Sequence, residues 1–474
     1  MMNNPALIFQ RPPVFSIPQL ERMEEAMFRI LEEVGIAILD EEILGQLRSC
    51  GFQAIGNRIR VNRKLVLEFL DAERKRNGDK FSEGPLPAKP TSSHIGLGVS
   101  RYPQRVHDIK SDKVVPFDTE RLIEATKLLD VLSISGPPGC PTDVPPPLQP
   151  VVQYWISATY SRNGRGRVDP KSMATLPYIM EMSEVLGNPL RSLPVYVFTP
   201  LSLGGESLRC VLKYRDKLSS IGVSDMSSLG CTTPINVGDA FALCVAEVIG
   251  SAILLREVID LPVGWSVRLC PTDLRTLAMV LGSPEDFLLQ LANSEVNAYF
   301  HGTRWHPAVG GIHTNAKLPG AQSCVEKASL MTACALLGAR GFGSAGTLSL
   351  DEVFSAEQLI YDIEIRDHAQ RLVEGLDGDC DLERCLKDVT EAIQQKSFVA
   401  LDTTVNSYRD FYWHPKLFDR QFFAAWEGEG AITNRQKAHA MIRELSGQYD
   451  YELEPELQRE LDKILAEAKA QLTG

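Results

Sequence analysis

From about residue 131 the chain repeats one rhythm: a short apolar run, a turn rich in Gly, Pro or Ser, then an amphipathic stretch long enough for a helix. That alternation is the signature of β-α units feeding strands into one largely parallel sheet. The apolar runs are Val131–Gly136, Pro194–Phe198, Ile221–Asp225, Pro262–Arg268, Ala298–His301 and Arg340–Gly346. Between them the spacing predicts helices at Pro147–Arg162, Pro170–Leu186, Glu206–Lys217, Asn236–Ile259, Pro284–Asn293 and Gly320–Ala339. Two weaker runs, Gly166–Asp169 and Phe398–Asp402, occupy gaps where further strands would raise the count from six to eight. The expected class is therefore α/β, an eight-stranded (β/α) barrel of the TIM type. The runner-up is an open doubly wound sheet, which usually carries a phosphate-binding glycine fingerprint after its first strand. Gly136-Pro137-Pro138-Gly139 is too rich in proline to open a helix around a phosphate.

The flanks differ from this middle. Residues 16 to 48 have a helical pattern, with Leu20, Met23, Met27, Ile30, Leu31 and Val34 on one face and Gly35 as its stop. Further helices are predicted from Asp40 to Leu47 and from Arg63 to Asn77, and the prolines at 85, 87 and 90 mark a linker. The expected organisation is a helical extension and linker over 1–93, the barrel over 94–405, and a helical extension over 406–474 packed on its outside. That last part holds a charged helix pair near Thr433–Tyr449 and Pro455–Gln471.

Composition excludes several roles. With 49 Lys and Arg against 61 Asp and Glu the formal charge is −12, which argues against phosphate-backbone binding as a main activity, so no nucleic-acid partner is expected. Glu21, Arg22, Glu24, Glu25 and Arg29 interrupt any signal-peptide pattern near the start. The most apolar stretch, Ala240–Val258, contains Glu247, Gly250 and Arg256 and reads as a buried helix rather than a membrane span. Ten cysteines without a C-x-x-C pair fit reduced thiols in a cytoplasmic protein.

In a β/α barrel the chemistry lies at the carboxyl ends of the strands. After the sixth run come Tyr299-Phe300-His301-Gly302-Thr303-Arg304-Trp305-His306 and then Gly310-Gly311-Ile312-His313. Three histidines and a tryptophan fall within thirteen residues, among glycines that let backbone approach a ligand. Phe198, Trp265, Arg268, Phe342 and Asp402 stand at other predicted strand ends. Aromatic faces there can box a quaternary ammonium, while Arg268 and Arg304 can receive a carboxylate. The histidines lack the close spacing of a zinc site, and no base is evident beside Cys140, Cys231 or Cys270. Gly341-Phe342-Gly343-Ser344-Ala345-Gly346 matches the dinucleotide pattern by letter but sits late in the barrel, without the acidic partner about 20 residues on.

Three segments carry a resemblance to a known family. The helix end Ile30-Leu31-Glu32-Glu33-Val34-Gly35-Ile36, the run Ala321-Gln322-Ser323-Cys324-Val325-Glu326-Lys327-Ala328, and Trp413-His414-Pro415-Lys416-Leu417-Phe418-Asp419-Arg420 resemble the trimethylamine methyltransferase superfamily, in the right order over nearly the whole chain. The resemblance implies a barrel that demethylates a methylated amine and passes the methyl to the Co(I) corrinoid of a separate partner protein. It implies no tightly bound cofactor and no metal. Trimethylamine-using members carry pyrrolysine, by resemblance in or near Gly343–Asp351, where this chain has only standard residues. It therefore looks like the non-pyrrolysine branch, whose members demethylate betaines such as glycine betaine. On that reading Phe198, Trp265, Trp305 and Phe342 form the cation cage, and His301, Arg304, His313 and Arg268 anchor the carboxylate. Leu401-Asp402-Thr403-Thr404-Val405-Asn406 replaces a histidine-rich stretch of many relatives, so Asp402 is either a substrate contact or a structural residue of the last strand. A zinc-activated methyltransferase and a betaine-binding barrel without transfer activity stand as alternatives. A homo-oligomer is expected, although no exposed stripe in the sequence marks its interface.

Overall fold

The computed structural model describes residue 9 and residues 11–81, 94–164, 172–305, 310–376 and 378–472. The Gly166–Asp169 run, the proline-rich linker 82–93 and His306 lie outside these residues.

The amino-terminal part holds α1 (Ile17–Arg29), β1 (Ile36–Ile38), α2 (Glu41–Ser49), β2 (Ala54–Ile55), β3 (Arg58–Ile59) and α3 (Arg63–Asn77). Asp40 caps α2 through the N–H groups of Glu42 and Ile43, and Asn62 caps α3 through that of Leu65. Next come β4 (Gly96–Leu97), β5 (Arg105–Asp108), β6 (Lys113–Pro116), α4 (Thr119–Val131), α5 (Gln149–Tyr160) and α6 (Leu176–Val185). The central units are β7 (Ser192–Phe198), β8 (Ser202–Leu203), α7 (Gly205–Tyr214), β9 (Ser220–Ser224), β10 (Ser227–Ser228), α8 (Val237–Val258) and β11 (Val263–Ser266). They are followed by the short strands β12 (Leu269–Cys270), β13 (Thr272–Asp273) and β14 (Ala278–Met279), then α9 (Pro284–His301) and α10 (Ala321–Leu336). After β15 (Gly341–Phe342), β16 (Thr347–Leu348) and β17 (Val353–Ser355) the chain is helical: α11 (Ala356–Glu374), α12 (Leu382–Gln395), α13 (Asp402–Phe411), α14 (Phe423–Gly428), α15 (Asn434–Ser446) and α16 (Pro455–Leu472).

The architecture is mixed α/β in two arcs. In the first, β7, β9 and β11 run parallel, Val195 beside Val223 and Val223 beside Trp265. Their sheet continues through β8 into β1, β3 and β2, so the amino-terminal segment is not purely helical as its sequence suggests. In the second arc β15 runs parallel to β4, pairing Gly341 with Gly96, and Ile312 N–H donates to the Gly343 carbonyl at 2.9 Å. A strand that precedes the rhythm is therefore the neighbour of one near its end, but strand pairing does not join the two arcs into a continuous ring among the described residues.

Two predicted strands are replaced. Ala298–His301 is the last turn of α9, because Phe287, Leu291, Ala298 and Phe300 continue a helical packing pattern well past Asn293. Phe398–Asp402 has no ladder, and Asp402 opens the exposed helix α13. Val131 likewise closes α4, which leaves only Ile134–Gly136 extended.

Burial follows the alternation expected of strands covered on one face. Leu193, Val195, Val197, Ile221, Val223, Val263 and Trp265 point outward into one core with α8. That helix is apolar on every side because β7, β9, β11 and α1 surround it, so it is a core helix although long and apolar enough to span a membrane. Gly250 allows the closest crossing, since a Cβ there would lie 2.6 Å from Leu31 Cδ2. A second core joins α4, α5, α6 and α11 to the terminal helices α15 and α16.

Candidate active site at the carboxyl ends of the strands

The inner faces of β7, β9 and β11 carry Ser192, Pro194, Tyr196 and Phe198, then Ser220, Gly222 and Ser224, then Gly264 and Ser266, none of them buried. Bulky branched residues usually fill such a face. Here small residues leave a cavity of about 380 Å³ against Pro194, Gly222, Ser224, Gly264 and Ser266.

At the carboxyl ends a hydrogen-bonded chain ties the three strands together. Thr199 Oγ1 lies 3.0 Å from Ser227 Oγ, which donates to Asp225 Oδ2 at 2.9 Å, and Asp225 Oδ1 accepts from the Arg268 backbone N–H at 2.8 Å. Glu247 of α8 stands behind, accepting from Leu201 N–H at 2.6 Å and Thr199 Oγ1 at 3.0 Å. Burial pushes the Asp225 carboxyl up to about 6, against the pull of the Arg268 N–H and Ser227. Burial, with the Asp225 charge adding to it, pushes Glu247 up to about 7. Cys244 completes a buried trio whose ligand atoms lie within 4.8 Å of one another. Both carboxylates are already committed as acceptors for neighbouring N–H and O–H groups, and burial pushes the Cys244 thiol up.

The second arc supplies the rest of the rim. Gly310 packs against the Arg268 guanidinium, where a Cβ would stand 3.2 Å from Nη1, and Gly343 packs on the Gly310 carbonyl. His313 Nε2 is 3.3 Å from Ser344 Oγ, and His313 Nδ1 faces Asp351 Oδ1 at 3.5 Å. Neither of these two buried atoms has a hydrogen-bond partner among the described residues. Burial alone would raise the Asp351 carboxyl, but His313, Ser100 and Arg268 outweigh it and hold the group below its usual range. The loop carrying Ser344 and Asp351 is fixed from beneath by a fully buried ion pair. Lys327 Nζ meets Asp362 Oδ2 at 2.7 Å and donates to the Ser344 carbonyl at 3.1 Å, while Asp362 accepts from Gly346 N–H at 2.7 Å.

The residues expected for the cage and for the anchor fall in different parts of the structure. Phe198 is half exposed on the inner face, and Arg268 and His313 both lie within electrostatic reach of Asp286 and Asp351. Trp265 points outward, stacked on His301 at 3.8 Å, and His301 Nδ1 turns to Glu73 of α3 at 3.5 Å, so this pair belongs to the wall. His301 and Arg304 do share with Arg268 a cavity of about 640 Å³ along the seam between the arcs. Phe342 packs outward beside Ile95, Ile312 and Met331. Trp305 lies beyond α9 under Arg11, against Leu291 and Ala298. Asp402 is on the exposed α13, away from the rim. The glycines of 310–311 serve close approach between strands and side chains of the protein itself. Sequence reasoning missed Asp225, Asp351 and the Lys327–Asp362 pair. Asp225 ends a predicted strand, a signal that was available; the Lys327–Asp362 contact joins two helices and has no local trace.

A family model described as trimethylamine methyltransferase matches residues 6–473. The chain belongs to this family. It is 23% identical over 475 residues to a glycine betaine methyltransferase of Desulfitobacterium hafniense, covering 95% of each chain. To a proline betaine:corrinoid methyltransferase of Eubacterium limosum it is 23% identical over 432 residues, 86% of this chain and 87% of that one. A trimethylamine methyltransferase of Methanosarcina barkeri is 27% identical over 267 residues, 55% of this chain and 52% of that one. Among solved structures, the monomethylamine methyltransferase of Methanosarcina barkeri aligns with a TM-score of 0.44 and 12% identity, covering 94% of this chain and 90% of that one. As a member of a methyltransferase family, this chain has its polar rim where β/α proteins place chemistry.

Proposed function

We propose that this protein demethylates a quaternary amine of the betaine class and passes the methyl group to the Co(I) corrinoid of a separate protein. The observation that carries this reading is the nearness of opposite charges, Arg268 and Asp351, the first of them two residues beyond β11, whose inner face is lined by small residues. A betaine is itself a short zwitterion. Arg268 is placed to receive its carboxylate, and Asp351, with the exposed rings of Phe198 and Tyr196 on the same inner face, to meet its ammonium.

The chemistry asks little more of the protein. In an in-line displacement the methyl carbon leaves nitrogen with its bonding electrons replaced by the cobalt pair, and a quaternary ammonium departs as a neutral tertiary amine. No proton need be delivered to the leaving group, so positioning and water exclusion supply the acceleration. A cage of four aromatics would also stabilise a charge that vanishes in the product, which works against the rate. Two rings and one carboxylate are a milder hold.

Apolar side chains in the loops after the strands support docking of a corrinoid protein at this end. Met226 follows β9, Leu274 and Leu277 lie on the β13–β14 hairpin and Leu318 precedes α10, all four exposed. We further propose that the α/β units form a barrel around the inner face, that the cobalt chemistry resides on the partner, and that the protein works in the cytoplasm. The test is methylation of a reduced corrinoid protein, followed by the cobalt spectrum, with glycine betaine, proline betaine, carnitine, choline and trimethylamine as donors, with and without chelator. Transfer from one betaine, insensitive to chelator, is the expected result. Binding of a betaine without transfer, or transfer only with added zinc, overturns it.

A further inference from the structure

The carboxyl-terminal third has a surface that the methyl-transfer site does not use. Fifteen of the 33 large apolar side chains exposed among the described residues lie between Leu376 and Ile432. Within residues 382–428 only Ala392, Leu401 and Leu417 are buried. At ~150–250 Å² for a large side chain, the exposed apolar area is on the order of 1,500 Å². Summed over the segment, that exceeds the about 800 Å² each partner gives a standard dimer.

The pattern on α12 says what covers it. Leu382, Leu386, Val389 and Ile393 are 78%, 66%, 41% and 72% exposed and form one stripe with spacings of four, three and four. This is the a/d spacing of a coiled-coil seam. It reads the same in both directions, so a second α12 laid antiparallel sets Leu382 against Ile393 and Leu386 against Val389, and opposes the two helix dipoles. Charge agrees. The whole chain carries −12, so two copies repel, but α12 holds three acidic side chains, Glu383, Asp388 and Glu391, against two basic ones, Arg384 and Lys387, and is close to neutral. An isologous contact needs that kind of self-complementary surface.

Position excludes the methyl-accepting partner as the occupant. α11 starts at the carboxyl ends of the strands, so Arg371 near its end lies at the opposite face, and Arg371 Nη2 donates to the Phe411 carbonyl at 2.9 Å. The apolar patch is thus anchored away from the mouth that a corrinoid protein must reach. We infer that α12 and the aromatic arm that follows it form the seam of a two-fold homodimer, with α12 antiparallel to its copy. This inference does not depend on the substrate.

Light-scattering mass of the full chain tests it. The wild type is expected at twice 52.5 kDa at micromolar concentration, and L386E/I393E at 52.5 kDa with unchanged helix content, because both side chains face solvent in the single chain. In the antiparallel register Thr390 lies beside Glu383 of the partner subunit, so T390E weakens association by roughly fivefold and T390E/E383K restores it. A monomeric wild type overturns the inference. So does a dimer that survives L386E/I393E, or one indifferent to the charge reversals.

Discussion

The buried Lys327–Asp362 pair gives a sharp test of how the rim is held. Both side chains are fully buried, and the carboxylate also accepts from Gly346 N–H at 2.7 Å and Gln358 Nε2 at 2.8 Å. Lys327→Met removes the ammonium and leaves a carboxylate with neutral donors only, a change that costs about 3–5 kcal/mol in buried pairs. With an unfolding entropy of about 2.1 cal/mol/K per residue, a chain this long that melts as one unit loses about 1 kcal/mol per degree. The expected fall in Tm is therefore about 3–5 °C by calorimetry. Burial raises the Asp362 carboxyl, and without Lys327 nothing charged offsets it. A group whose folded pKa is raised contributes stability below its unfolded pKa and loses it as pH rises through the folded value, so the deficit is smaller at pH 5 than at pH 8. Adding Asp362→Asn removes the orphan charge but keeps an acceptor for Gly346, and K327M/D362N recovers more than half the loss. If K327M melts within about 1 °C of wild type, or if D362N deepens the loss, the pair is not what holds the 344–351 loop.

Other predictions follow from the rim and the wall. Asp225 and Glu247, raised to about 6 and about 7, stabilise the fold while protonated and lose that contribution as pH climbs from ~4 through 7, so Glu247→Gln flattens the fall in Tm between pH 5 and 8. Arg268→Gln weakens betaine binding by roughly 10- to 100-fold, the loss of a charge-assisted carboxylate contact, as titration calorimetry would show. Trp305→Ala lowers Tm but leaves betaine affinity within about twofold, whereas Phe198→Ala weakens affinity with little change in Tm. The opposite ranking of those two variants would restore the four-ring cage expected from the sequence.

How much of the fold was legible depended on whether a segment's period reflected its own burial. β7, β9 and β11 were readable because their outward residues alternate against one apolar layer, and α8 because it is apolar on all sides for a full 22 residues. α9 was cut short at Asn293 because the run Ala298–His301 is apolar without a period that distinguishes strand from helix. The sequence-predicted strand at Phe398–Asp402 failed for a different reason. Phe398 and Val399 are 57% and 77% exposed, so apolar residues that suggest a strand core instead lie on the surface inferred above to meet a second copy. The same surface hid α12, whose stripe is continuous yet lies beyond the last β-α unit.

The site was half legible because residue type reports chemistry but not direction. Along β11 successive side chains alternate between inner and outer face, which sets Trp265 outward and Gly264 and Ser266 inward, while Arg268 lies two residues beyond the strand. Aromatics at strand ends are therefore divided by parity: Phe198 shares the inner face with Pro194 and Tyr196, while Trp265 and Phe342 occupy outward positions that helices cover. Histidines divide in the same way. His313 follows the close packing of Gly311 on Ser344 and reaches Asp351, but His301 ends a helix and is taken up by Glu73, which Arg256 and His301 together hold down to about 2 against burial. A residue already charge-paired within the wall has little left to offer a substrate. The opposite charges that the rim presents are Arg268 on one arc and Asp351, which His313 faces at 3.5 Å, on the other. Under the proposed function it is that polarity, more than the number of rings, that favours a small zwitterion over a simple methylated amine.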